Sequence, residues 1–122
     1  MVRSQTKTFL VTDHTGVGST LVNALQQAGW QGMLCHRGTQ ALDSVRMQPW
    51  DALIIRFRLI DMRGDAVAYA ACAERPALAG HILILTDEQI GREAVEAARF
   101  TWLPSDAPMD TIVAHVAALT ED

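Results

Sequence analysis

The hydrophobic positions of this chain switch repeatedly between short unbroken runs and helical spacings. Thr8-Phe9-Leu10-Val11 is a β-favouring run that stops at the turn formers Thr12-Asp13-His14-Thr15-Gly16. From Val17 the apolar residues fall at Val17, Leu21, Leu25 and Ala28, a helical spacing that Gly29 ends. Gly32-Met33-Leu34-Cys35 reads as a second strand, and Gly38 opens a helix to about Met47, before Pro49 forbids continuation. Asp51 to Ile55 is the third strand, its Ala-Leu-Ile-Ile run suiting burial on both faces of a parallel sheet. The alanine-rich Asp65 to Glu74 predicts a helix with no clean apolar face, ending before Pro76. His81 to Thr86 is the fourth strand, Ile90 to Ala98 the fourth helix and Thr101-Trp102-Leu103 the fifth strand. Pro108 to Leu119 closes the series as a helix, with Ile112, Val116 and Leu119 in register.

Five strand-then-helix units with short connections imply right-handed crossovers, and so an α/β fold: a five-stranded parallel sheet, doubly wound. Ligands in such sheets lie beyond the carboxyl ends of the strands, so Asp13, Arg56, Thr86 and Pro104-Ser105 are expected to meet in one crevice. The 122 residues fit a single domain, 1–122. No apolar stretch approaches the roughly 20 residues that span a bilayer, so no membrane association is expected. Met1 to Thr8 carries Arg3 and Lys7 but no secretory pattern, which makes the cytoplasm the expected compartment.

A net charge of −4, with ten basic residues scattered along the chain, gives no stripe for direct nucleic-acid contact. Cys35 and Cys72 lack CxxC spacing and read as small buried hydrophobes. His14, His36, His81 and His115 show no paired ligand spacing, so neither metal nor cofactor is expected. Gly16-Val17-Gly18-Ser19-Thr20-Leu21 misses the dinucleotide fingerprint at Leu21, and no Gly-Lys-Ser/Thr follows to make a P-loop.

Three segments carry a family resemblance: Gly38-x-x-Ala41-Leu42, Pro49-Trp50-Asp51-Ala52-Leu53-Ile54-Ile55 and Leu59-Ile60-Asp61-Met62-Arg63-Gly64. Together with the element order they make the chain resemble the receiver domain of bacterial response regulators, a flavodoxin-like sandwich. The resemblance implies a phosphoryl-transfer pocket. An acidic pair after the first strand would hold Mg²⁺, an aspartate ending the third would accept phosphoryl, and a Thr or Ser ending the fourth and a lysine after the fifth would contact its oxygens.

Most of that set is replaced. Counting back from Gly29 puts the acidic pair on Thr12 and Asp13; a shift of one makes it Asp13 and His14; either leaves one acid. The acceptor position is Arg56, which has no nucleophilic lone pair and cannot form an acyl phosphate. The lysine position falls on Ser105, and the chain's one lysine is Lys7, at the far end of the first strand. Thr86 alone matches the pattern. The family's switch aromatic falls on Trp102, read equally as a packing anchor or a contact residue.

For Arg56 the sequence leaves two readings. One is an ion pair with Asp13, on the order of 4 kcal/mol at about 4 Å in an effective dielectric of about 20 before desolvation. The other is a side chain in solvent with its stem on apolar surface. Asp61, Asp65 and Asp87 near the same rim read as helix caps and loop residues rather than substitute acceptors. The resemblance thus implies an atypical receiver: a phosphorylation-independent, non-enzymatic regulatory and protein-interaction module of two-component signalling. Its expected partner is a protein or a fused output domain of a longer regulator. The family face for partners and homodimers, the fourth helix, fifth strand and fifth helix, is roughly Ile90 to Leu119 here. The alternative is a sensor of a small anionic ligand in the crevice around Asp13, Arg56 and Thr86.

Overall fold

A computed structural model describes residues 6–121. Met1 to Gln5, including Arg3, lie outside the described residues. The strands are β1 (Thr8–Thr12), β2 (Gln31–Cys35), β3 (Ala52–Arg56), β4 (Ile82–Leu85) and β5 (Thr101–Leu103). The helices are α1 (Gly16–Gln27), α2 (Gly38–Met47), α3 (Gly64–Glu74), α4 (Gln89–Ala97) and α5 (Met109–Leu119). All strand pairs are parallel, in the order β2-β1-β3-β4-β5. The doubly wound five-stranded sheet expected from the sequence is therefore the architecture observed.

Alternation along the strands divides the core into two layers. Phe9, Val11, Ala52, Ile54, Leu83 and Leu85 meet Leu21 and Leu25 of α1 and Ile112 and Val116 of α5. Leu10, Leu53, Ile55, Ile82 and Ile84 face Ala41 and Val45 of α2, Val67, Ala68 and Ala71 of α3, and Val95 of α4. The strands β1, β3 and β4 are central and buried on both faces, which explains their unbroken apolar runs.

Differences from the sequence reading are small. Arg56 belongs to β3, in register with Leu85 of β4, rather than standing just past the strand. Pro76–Leu78 forms a single 3₁₀ turn that the sequence pattern did not announce. Cys72 is half-buried, not buried like Cys35, and burial pushes both thiols up from their ordinary range, keeping them protonated.

Two helices end the same way with different residues. After α1, Gly29 takes φ +96°, and Trp30 N–H donates to the Leu25 carbonyl at 3.0 Å. After α4, Arg99 takes φ 63°, and Phe100 N–H donates to the Val95 carbonyl at 3.0 Å. The side chain at 99 carries a left-handed penalty that glycine avoids. Arg99→Gly is accordingly expected to raise stability by about 1 kcal/mol. An unchanged or lowered urea midpoint would show that the termination geometry is unstrained.

Candidate functional site

The crevice forms where the carboxyl ends of β1, β3 and β4 meet the loop after β5. Arg56 ends β3 and turns its guanidinium toward β1, where Nε donates to Asp13 Oδ1 at 2.8 Å. Nη1 reaches the other way, to Ser105 Oγ at 3.3 Å. The pair is nearly out of solvent, with side-chain exposures of 14 % for Arg56 and 2 % for Asp13. The paired reading of Arg56 thus describes the structure, and the solvent-facing one does not.

Asp13 is held by more than Arg56. Its Oδ1 also accepts from the Thr15 backbone N–H and Oγ1, both at 2.8 Å. Thr15 is the N-cap of α1, its hydroxyl accepting from Val17 N–H at 3.3 Å. Three donors therefore converge on one carboxylate oxygen, while the buried Oδ2 has no hydrogen-bond partner among the described residues. Gly18 of α1 presses close on this residue: a Cβ there would stand 2.9 Å from the Asp13 Cβ.

The remaining predicted residues divide. Thr86 follows β4 and is buried; its Oγ1 accepts from Glu88 N–H at 3.3 Å. Gly91 of α4 sits so tightly on this hydroxyl and on the Phe57 ring that no Cβ would fit. Ser105 is buried beside them, its N–H donating to Asp87 Oδ1 at 2.9 Å. Arg56, Thr86 and Ser105 line a cavity of about 60 Å³ with Phe57, Arg58, Leu85, Asp87 and Glu88. Thr12, by contrast, is buried with its hydroxyl 3.3 Å from Cys35 Sγ, apart from the Arg56 contacts. His14 is exposed.

Trp102 lies outside the cavity lining. It packs against the core layer that includes Val95, donates Nε1–H to Glu96 Oε2 at 2.9 Å, and carries Arg92 over its ring at 5.4 Å. Trp102 is therefore a packing anchor whose side chain stays partly exposed.

The three rim aspartates serve local structure. Asp61 accepts from Gly38 and Thr39 N–H at 2.8 and 3.0 Å, capping α2 from a distant loop. Desolvation acts to raise its carboxyl pKa, but these backbone donors outweigh it and leave the group below its ordinary range. Asp65 pairs with Arg63 at 2.7 Å, and Asp87 accepts from Ser105. Sequence reasoning missed Arg58, whose Nε and Nη2 meet Glu88 Oε2 and Oε1 at 2.6 and 2.8 Å across the rim. Only the closeness of each residue to a strand end hinted at it.

Electrostatics limit what the crevice can hold. Arg56 and Arg58 supply two positive charges and Asp13, Asp87 and Glu88 three negative ones, so the formal balance is −1; both guanidinium groups are paired, and Asp87 accepts from a backbone N–H. A hard divalent cation needs several free oxygen ligands, and an anion needs a free donor cluster. Among the described residues no group of three or more His, Cys, Asp or Glu is placed to hold a metal ion. None of their helices is long and apolar enough to cross a membrane.

No family model matches the chain. In sequence it is 34 % identical over 84 residues to the transcriptional regulatory protein CreB of Escherichia coli, a match covering 69 % of this chain and 37 % of that protein. The chain therefore spans little more than a third of the curated relative it matches. In structure it is similar to a CheY-like receiver domain from Methanospirillum hungatei, at TM-score 0.82 and 13 % identity, covering 94 % of this chain and 93 % of that one. The receiver domain of a sensor histidine kinase from Pseudomonas aeruginosa, solved with magnesium in its active-site cleft, gives 0.80 at 21 % identity, covering 95 % and 98 %. A streptococcal redox sensor of a family evolved from two-component response regulators gives 0.82 at 21 %, over 93 % of this chain and 51 % of that one. The structural neighbours show that the chain has the CheY-like fold, and the sequence match to CreB supports its place among response-regulator receiver domains.

Proposed function

We propose that this receiver domain signals without phosphorylation, as a protein-interaction module whose crevice is held in one state by its own side chains. The observation that carries this reading is the position of Arg56. Its guanidinium occupies the end of β3 and bonds at once to Asp13 after β1 and Ser105 after β5. A permanent cation there supplies the cross-strand tie and removes the nucleophile. No catalytic activity is expected. The domain acts through a partner or through an output segment of a longer regulator, in the cytoplasm. CreB, a transcriptional regulatory protein, is the relative that suggests an output segment.

The partner surface in this reading is the face of α4, β5 and α5, where Trp102, Arg92 and the exposed Ile90 lie. A small-anion sensor receives less support. Arg56 is committed to Asp13 and Ser105, and the two guanidinium groups that line the cavity are matched there by two carboxylates, Asp87 and Glu88.

Exposure to Mg²⁺ and a small-molecule phosphodonor should leave the intact mass unchanged; a phosphoryl adduct would overturn the reading. Arg56→Ala should cost about 3–5 kcal/mol in urea unfolding, because it strands the buried Asp13 carboxylate. An unchanged midpoint would show that the pair holds nothing in place.

A further inference from the structure

We infer that the Arg58–Glu88 ion pair is a latch that holds the first turn of α4 down over the crevice, and that salt loosens it. The two ends of the pair are mounted differently. Arg58 lies on a stiff base: its guanidinium stacks over the Phe57 ring at 5.4 Å, its backbone bridges to Arg63, and Gly64 N–H donates to the Phe57 carbonyl at 2.7 Å. Arg63 covers the same ring at 5.0 Å. Glu88 is the N-cap residue of α4, and its side chain does not cap the helix but reaches out to Arg58. Among the described residues, no other side-chain hydrogen bond joins the start of α4 to the loop after β3.

What lies beneath makes the contact consequential. Gly91, one turn into α4, rests on Thr86 Oγ1 and the Phe57 ring with no space to spare. The cavity of about 60 Å³ lined by Arg56, Thr86 and Ser105 sits under the same rim. When the first turn of α4 lifts, it uncovers Thr86 and Phe57 and carries Ile90, 62 % exposed, to a new position. The far end of α4 stays tied by Trp102 to Glu96. This places the motion at the amino-terminal turn.

The bidentate geometry gives the pair direction, while its exposure keeps it weak. Its side chains are 59 % and 42 % exposed, so water and mobile ions screen it, unlike the Arg56–Asp13 pair. Glu88 is correspondingly held below the ordinary carboxyl range by its hydrogen bonds from Arg58. The latch does not depend on the interaction role proposed above; only what Ile90 meets does.

Hydrogen exchange read by mass spectrometry on residues 57–63 and 86–92 tests this on the whole chain. At low salt, Arg58→Ala and Glu88→Gln should each raise exchange there about 2- to 5-fold, the range an exposed pair supports. Exchange in the central strand β3 should stay unchanged. In about 1 M salt, where screening reaches about 3 Å, wild type and variants should converge. The charge-reversed pair Arg58→Glu with Glu88→Arg should restore protection. Wild-type exchange in the single variants, an equal rise in β3, persistence of the difference in high salt, or failure of the reversed pair to rescue would each overturn the latch.

Discussion

A guanidinium cannot shed its charge at physiological pH, so one placed at the end of a central strand must be hydrated or paired. Arg56 is nearly buried, and Asp13 more so; each is the condition for the other's burial. The arrangement is also lopsided. The Asp13 Oδ1 receives Arg56 and both donors of Thr15, whereas Oδ2 meets no donor among the described residues. One oxygen atom thus joins the end of β1, the start of α1 and the end of β3, and Arg56 extends the link to the loop after β5.

The fold was legible because its signals are redundant. Central strands buried on both faces must be continuously apolar, and prolines and glycines bracket the helices between them. Weak places were those where one signal stood alone. In α3, alanine on every side blurs the periodicity, although Val67, Ala68 and Ala71 are buried and Tyr69 is exposed. The turn at Pro76–Leu78 is too short for any period to show. The end of α4 uses Arg99 where a sequence reader looks for glycine.

The site was legible to the extent that topology dictates it. Strand ends converge in a parallel sheet whatever residues they carry, so Arg56, Asp13, Thr86 and Ser105 could be grouped without coordinates. Their faces could not be. One step along a strand reverses the side chain's direction, so Thr12 turns to Cys35 while its neighbour Asp13 joins Arg56. Arg58 and Glu88 are 30 residues apart on different loops, and nothing local couples them.

Core and crevice draw largely on different residues of the same strands and loops. The two core layers draw on the strands mainly before their ends, and the crevice mainly on residues at or beyond them, with Phe57 and Leu85 shared by both. Within the crevice the charges divide again by exposure. The Arg56–Asp13 pair is shielded from solvent and so resists screening, whereas Arg58–Glu88 is open to it. Stiffness therefore belongs to the interior and adjustability to the rim, next to α4. The rim beside α4 is therefore the part of the crevice whose ion pair responds most directly to the ionic strength around it.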